Sequence, residues 1–120
     1  MTRSNAAIPS QVTFRDFSAS ESVKQTIEDR IERLNRFQAN ILRCEVVISL
    51  PHKHSHRGLQ YHIEIRLHIP GDDIYVTVEP TRTQIDRDIY VAIRDSFDVL
   101  ERRLEETILK RRGFVKHHAV

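Results

Sequence analysis

The sequence has a single cysteine, Cys44, no tryptophan, and few residues that break regular structure. One cysteine cannot form an internal disulfide, and nothing else in the chain indicates an oxidising compartment. Three glycines and four prolines in 120 residues predict that most of the chain forms helices and strands. With 39% hydrophobic and 30% charged residues, the composition is that of one globular domain rather than of a disordered chain.

Long apolar segments are also absent from the sequence. No run approaches the roughly 20 apolar residues of a membrane-spanning helix, and residues 1–9 lack the apolar region of a signal peptide. We therefore expect a soluble domain in the cytoplasm, with neither a membrane nor a small-molecule substrate as its partner.

Neither sign of charge dominates the chain. Its formal net charge is +2, from 19 basic and 17 acidic side chains, so a nucleic-acid partner has to be argued from where the charges lie. The basic side chains are concentrated toward the C-terminus, where residues 102–116 hold six basic and two acidic side chains.

An alternation of apolar and polar side chains with a period of two predicts four strands. They are Gln11–Phe17, Leu42–Ile48, Leu59–Ile69 and Ile74–Val78. In the second strand, the side chains predicted to face the core are Leu42, Cys44, Val46 and Ile48. The third strand alternates without interruption, which predicts a central or near-central position with one face on the core. Pro70 to Asp73 predicts a turn, and the short connections make the last three strands an antiparallel meander.

Two amphipathic helices are predicted from apolar stripes with a helical period. The stripe of the first helix is Val23, Ile27, Ile31, Leu34 and Phe37. Ser18 or Ser20 is predicted to cap this helix. The second helix is predicted to begin at Asp86 or Asp88 and to end at Arg112, with Gly113 as its C-cap.

The element order β-α-β-β-β-α predicts an α/β (α+β) two-layer sandwich, in which both helices cover one face of a four-stranded sheet. Its shape is similar to that of a double-stranded RNA-binding domain. We expect a flexible N-terminal segment at residues 1–10, the folded domain at residues 11–113 and a C-terminal tail at residues 114–120.

The segment from Asp88 to Ile93 resembles the Asp-x-Tyr-x-Ala-Ile element that opens the second helix of the hibernation-promoting factor and ribosome-associated inhibitor A family, also labelled sigma-54 modulation proteins. The resemblance spans roughly residues 11–113 and includes the element order. It implies a non-enzymatic protein that binds small-subunit ribosomal RNA in the decoding region and blocks translation under stress or in stationary phase. Long-form relatives carry a second, dimerising domain. Because this chain stops at Val120, it resembles the short form, and that activity is expected to be absent.

The resemblance also implies which residues contact RNA. In the first helix, Lys24, Arg30 and Arg33 match basic family positions, and Arg30 and Arg33 fall on one flank of the apolar stripe. In the second helix Arg102 matches a basic family position and the run from Lys110 to Arg112 resembles the lysine-rich end, whereas Glu105 to Ile108 occupy a turn where relatives commonly carry lysine. The full set of expected RNA-binding residues is Lys24, Arg30, Arg33, Arg36, Arg57, Tyr90, Arg102, Lys110, Arg111 and Arg112.

Purely structural interpretations of these residues remain open. Tyr90 could be a half-buried packing residue. The arginines of the first helix could belong to a solvated face of Glu–Arg pairs, such as Glu32 with Arg36. A protein-interaction module that uses the open sheet face or an edge strand is the alternative to RNA binding.

The loop containing His52, His54 and His56 permits a metal hypothesis, because imidazoles two residues apart in an extended segment point the same way. No cysteine or carboxylate in the loop completes a tetrahedral site, so the sequence favours a polar, RNA-facing loop that includes Arg57. No metal is therefore expected.

Catalytic motifs are missing, since the sequence has neither a glycine-rich phosphate loop nor G-x-S-x-G. Cys44 lies in an apolar alternation, where a buried, inert thiol is expected. His62, Glu64 and His68 could imitate an acid–base set, but we interpret them as ordinary cross-strand neighbours. The chain is therefore expected to be neither an enzyme nor dependent on a cofactor.

Overall fold

The computed structural model describes residues 7–50, 61–78 and 89–118. In chain order the elements are β1 Ser10–Arg15, α1 Glu21–Arg33, a short 3-10 helix Leu34–Phe37, β2 Arg43–Ser49, β3 His62–Ile69, β4 Asp72–Val78 and α2 Ile89–His118. This is the predicted β-α-β-β-β-α order.

The four strands form one mixed sheet in the order β1-β2-β3-β4. β2, β3 and β4 make the predicted antiparallel meander, whereas β1 pairs with β2 in parallel. Parallel neighbours need a crossover connection, which α1 provides. β3 is paired on both sides, and its central position is confirmed.

One face of the sheet is buried and the other is open. The buried face consists of Cys44, Val46, Ile48, Ile63, Ile65, Leu67, Ile69, Ile74 and Val76. The helices pack onto it with Val23, Ile27 and Ile31 of α1 and with Ile93, Phe97, Leu100 and Leu104 of α2. All of these side chains belong to one core, and each contributes about 1.5–3 kcal/mol on burial. Both helices therefore cover the same face, and the predicted two-layer sandwich is confirmed.

The first helix begins after Ser20, whose Oγ accepts a hydrogen bond of 3.1 Å from the Val23 amide. Of the two predicted caps, Ser20 is the one that the structure uses. The α-helix ends at Arg33 and tightens into the 3-10 helix, which buries Leu34 completely before Gln38 adopts a left-handed φ of 53°. The apolar stripe thus continues across a change of helix type.

The hairpin between β3 and β4 has only two loop residues, Pro70 and Gly71, because Ile69 pairs directly with Asp72. Gly71 has φ 80°, a conformation that a residue with a Cβ rarely adopts and that the second central residue of a type II turn requires. The predicted turn is confirmed, but Asp72 and Asp73 belong to β4.

Leu42 does not face the core as predicted, since it is 56% exposed. The first pair between β1 and β2 joins Ser10 to Cys44, so Leu42 lies beyond the covered end of the sheet. At the N-terminus, Ile8 is buried and the Pro9 carbonyl accepts a hydrogen bond from the Cys44 amide. The folded part therefore includes these two residues and Ser10, the first residue of β1, from the predicted N-terminal segment.

The predicted end of the second helix is wrong. α2 passes through Gly113 and continues to His118, into residues predicted to be a tail. A glycine inside a helix costs only about 1 kcal/mol relative to alanine, and no proline follows it to stop the helix. Among the helices of the described residues, none is both long and apolar enough to cross a lipid bilayer.

Candidate nucleic-acid interface

The predicted basic residues of the first helix meet an acidic pair on α2. Arg30 Nη2 lies 2.8 Å from Asp98 Oδ1 and 3.3 Å from Glu101 Oε2. Arg33 Nε lies 3.0 Å from Glu101 Oε2, and Arg36 Nη2 lies 3.6 Å from Glu101 Oε1. Three guanidinium groups therefore converge on one carboxylate.

Glu101 is 8% exposed and is one of two buried polar residues among those that the structure describes. A carboxylate so far from water is stable only when it is paired. Asp98 and Glu101 lie three residues apart on α2 and so share a face of that helix, which is the face that α1 packs against.

Arg30 is the most enclosed of the three arginines. Its side chain is 13% exposed, and its guanidinium carbon lies 5.8 Å from the centroid of the Phe97 ring. Its Nε has no hydrogen-bond partner among the described residues. Arg30 thus holds α1 against α2, and its flank position, predicted from the helical period, is confirmed.

Arg33 and Arg36 face outward to a greater extent. Their side chains are 43% and 58% exposed, and a guanidinium has five N–H donors, more than the contacts to Glu101 use. Arg36 lines a surface groove together with Phe37, Asp98, Glu101, Arg102 and Glu105, and Arg33 joins it through their shared partner Glu101. Arg102 therefore adds its charge to the same surface, which we call the α1–α2 basic surface (Arg33, Arg36 and Arg102).

Tyr90 and Lys24 lie toward the N-terminal ends of the two helices. Tyr90 Oη is 2.7 Å from Ser22 Oγ, so it joins the start of α2 to the first turn of α1 while its ring remains partly exposed. Lys24 Nζ lies 3.5 Å from Glu21 Oε2, an exposed pair that contributes little to stability.

The basic run at residues 110–112 lies farther along α2. Lys110 follows Arg102 by eight positions, which is about 12 Å along a helix. Arg111 donates a hydrogen bond of 2.9 Å to the Pro70 carbonyl, which fastens this part of α2 to the β3–β4 hairpin. Lys110 and Arg112 are exposed.

Arg57 and the three histidines His52, His54 and His56 lie outside the described residues. Whether Arg57 contacts RNA and whether the loop binds a metal stay predictions. Within residues 7–50, 61–78 and 89–118, no group of histidine, cysteine and acidic side chains is arranged to hold a metal ion.

The open face of the sheet carries polar side chains that contact one another in pairs. His68 Nδ1 lies 3.0 Å from Oδ1 of Asp73, its direct partner on β4, and His62 Nε2 lies 3.2 Å from Glu64 Oε2. The cross-strand interpretation is therefore confirmed for His68, whereas His62 and Glu64 are neighbours within β3. Cys44 is buried as predicted, and burial raises the pKa of its thiol to about 12, so the thiol stays protonated near neutral pH.

A family model described as sigma 54 modulation protein / S30EA ribosomal protein matches residues 10–112 of the chain. The chain belongs to this family. The match confirms the resemblance that the Asp88–Ile93 motif indicated, and the sigma 54 modulation protein / S30EA ribosomal protein family is not an enzyme family. No curated protein sequence matches the chain.

Two solved structures resemble the fold. The crystal structure of the N-terminal domain of Protein Y from Thermus thermophilus has a TM-score of 0.63 at 23% identity, over 81% of this chain and 94% of that one. A ribosomal subunit interface protein from Coxiella burnetii has a TM-score of 0.69 at 16% identity, over 86% and 100% of the two chains. At these identities the likeness shows the fold.

Sequence reasoning did not find Asp98 and Glu101, the acidic side of the site. Their only signal in the sequence is a pair of carboxylates three residues apart on the border of the apolar stripe of α2, next to Phe97 and Leu100. Such a border position can pack against a neighbouring helix, and an arginine of α1 is the residue that would satisfy it.

Proposed function

We propose that this chain is a ribosome-associated hibernation factor that binds small-subunit ribosomal RNA in the decoding region and blocks translation by occupancy. The observation that carries the proposal is the α1–α2 basic surface of Arg33, Arg36 and Arg102, in a member of the sigma 54 modulation protein / S30EA ribosomal protein family. One of the two similar structures is named a ribosomal subunit interface protein, which agrees with a ribosomal partner.

The mechanism is electrostatic and structural. Exposed guanidinium groups neutralise RNA phosphates, and the sheet and core keep those groups at fixed spacing, which suits a partner that is recognised by its shape. No cofactor takes part, because occupancy alone excludes messenger and transfer RNA. The setting is the cytoplasm, under stress or in stationary phase.

Sedimentation of the full chain with purified ribosomal subunits through sucrose tests the proposal. We expect the chain to sediment with small subunits, and not to bind small subunits that already carry messenger and transfer RNA. We also expect the bound fraction to fall steeply as the concentration of monovalent salt rises. Large subunits are the matched control. Binding to large subunits alone, or binding that ignores preloaded RNA, would contradict the decoding-region assignment.

The alternative is a protein-interaction module that uses the open sheet face. The observation that favours it is Tyr75, a half-exposed aromatic on that face, with the guanidinium carbon of Arg66 4.9 Å from its ring centroid. Tyrosine and arginine are enriched at protein interfaces. Ribosome binding that is insensitive to salt and is abolished in Tyr75→Ser would favour this alternative.

A further inference from the structure

Glu101 is a negative charge at the centre of a surface that should bind phosphate. We propose that Glu101 is a positioning residue, which fixes Arg33 and Arg36 so that their remaining N–H donors face an RNA phosphate. The proposal rests on the proposed function for its ligand, although the orientation of the two arginines can be measured without a ribosome.

Arg33 shows the geometry most clearly. Its Nε lies 3.0 Å from Glu101 Oε2, and its Nη2 donates to Glu101 Oε1 at 3.3 Å. One edge of the guanidinium therefore contacts both carboxylate oxygens, and this bidentate arrangement fixes the plane of the guanidinium. The Nη1 side points away from this grip, and with 43% of the side chain exposed it can bind a second anion.

Arg36 is held from two sides. Its Nη2 lies 3.6 Å from Glu101 Oε1, and its guanidinium carbon lies 5.5 Å from the ring centroid of Phe37, its neighbour on the same 3-10 helix. Stacking on Phe37 and attraction to Glu101 together restrict a side chain that would otherwise sample many rotamers.

The charges of the cluster explain why a carboxylate is needed. Arg30, Arg33 and Arg36 carry three positive charges, and Asp98 and Glu101 carry two negative charges, which leaves a net charge of +1. Without Glu101 the three guanidinium groups would repel one another, and the two exposed ones would move apart into water.

This arrangement predicts opposite effects on two kinds of RNA binding. Holding the arginines in place before binding removes part of the entropy cost of ordering them, which favours a partner of one fixed shape. An irregular, flexible RNA gains nothing from fixed spacing and responds to net charge alone. Loss of Glu101 should therefore weaken binding to the ribosome and leave binding to flexible RNA unchanged or tighter.

The test compares Glu101→Gln with Glu28→Gln in the full chain. Each substitution raises the net charge by the same amount, but Glu28 is exposed on α1 and does not line the groove that contains Glu101 and Arg102. We expect Glu101→Gln to weaken binding to small subunits about tenfold, from two side chains that must be ordered on binding. We expect its binding to poly(U) to be equal to or tighter than that of the parent. Glu28→Gln should bind both RNAs as well as the parent or better. Tighter binding of Glu101→Gln to both would overturn the proposal.

Glu101→Asp is the second variant, which keeps the charge and withdraws the carboxylate by one methylene. It should fold, because the pairs with the arginines keep their sign, and it should also bind small subunits more weakly. Binding equal to that of the parent would show that the charge alone matters, and would overturn positioning even if Glu101→Gln does not fold.

A readout without ribosomes separates this proposal from the proposed function. The Arg33 Nε–H signal in a proton–nitrogen NMR spectrum should be sharp and slow to exchange in the parent, and broadened or missing in both Glu101 variants. A parent that fails to bind small subunits would contradict the proposed function. An Arg33 signal that is the same in parent and variants would contradict positioning.

Discussion

Arg30 differs from the other arginines of the site in how little water reaches it. Its side chain is 13% exposed, and it contacts both Asp98 and Glu101. A charge in this position needs its partners, because leaving one unpaired in the interior costs several kcal/mol. Arg30 therefore stabilises the packing of α1 on α2, and under the proposed function contact with phosphate would fall chiefly to Arg33 and Arg36.

We expect Arg30→Ala to lower the free energy of unfolding by about 2–3 kcal/mol, because it leaves Glu101 with fewer partners and removes the contact with Phe97. Arg94→Ala is the control, since Arg94 is 61% exposed and pairs with its sequence neighbour Asp95. That change should stay within about 0.5 kcal/mol. Urea denaturation measures both, and equal effects would show that the Arg30 pairs are no better shielded than a surface pair.

Cys44 offers a prediction at alkaline pH. The thiol of the unfolded chain releases its proton near its ordinary pKa of 9.0, while burial raises the pKa of the folded thiol to about 12. Between these values the unfolded chain binds fewer protons, so stability falls as pH rises, by about 1.4 kcal/mol per pH unit. Urea denaturation of the parent and of Cys44→Ala at several pH values measures the contribution of the thiol, as the difference between the pH dependences of their free energies of unfolding. Parallel curves for the two proteins between about pH 9 and 11 would contradict the raised pKa.

At the scale of elements, the first helix has one capping residue. Ser20 Oγ accepts a hydrogen bond from the Val23 amide, one of the amides at a helix start that no helical carbonyl can satisfy. We expect Ser20→Ala to lower the free energy of unfolding by about 1 kcal/mol. Ser18→Ala is the matched control and should have almost no effect. A larger effect of Ser18→Ala in a thermal or urea melt would mean that the helix begins two residues earlier.

Elements with a local signal could be predicted from the sequence. The alternation along β3 and the apolar stripe of α1 each show which side chains are buried. The type of each element and the face that packs on the core could therefore be predicted from the period of the pattern alone. The parallel pairing of β1 with β2 has no such signal, because it depends on which strand the crossover reaches. The passage of α2 through Gly113 was missed for another reason, since a glycine can either end a helix or be tolerated within it.

The candidate site could be predicted on its basic side only. Arg30 and Arg33 were singled out because they match basic positions of the resembling family, and the helical period places them on a common flank. The contact of these arginines with Glu101 depends on how α1 and α2 pack against each other. The residue spacing within a single helix carries no information about that packing. The sequence also did not predict that Arg30 is enclosed and Arg33 is exposed, because the neighbouring helix determines how much of each side chain is buried.

Over the whole molecule, the described charges are arranged differently on the two layers. On the open sheet face basic and acidic side chains alternate in pairs, such as Arg43 with Glu45 at 2.8 Å and His68 with Asp73 at 3.0 Å. On the helical layer Lys24 and Arg94 also pair with acidic neighbours, whereas the α1–α2 basic surface and the end of α2 each hold several exposed basic groups. Glu105 and Glu106 stand between these two places along the helix. An RNA partner would therefore meet the helical layer.

The α1–α2 basic surface and the end of α2 are expected to contribute unequally to ribosome binding. We compare Arg33→Gln with Arg36→Gln, made together, against Lys110→Gln with Arg112→Gln. Both double variants remove two positive charges, so the long-range attraction changes equally and the difference reports local contact. Arg30 and Arg111 are left unchanged, because Arg30 holds the two helices together and Arg111 donates to the Pro70 carbonyl.

We expect the first double variant to weaken binding to small subunits more, because Arg33 and Arg36 both contact Glu101 and Arg36 lines one groove with Arg102, so these groups can engage neighbouring phosphates together. Its binding should also depend less on salt, by roughly one unit of the log–log slope for each phosphate that the variant no longer neutralises. Sedimentation at several salt concentrations measures both quantities, with a thermal melt to establish that each variant is folded. If the second double variant proves the more damaging, the end of α2 is the principal anchor, and Arg33 and Arg36 serve mainly to hold Glu101 in the fold.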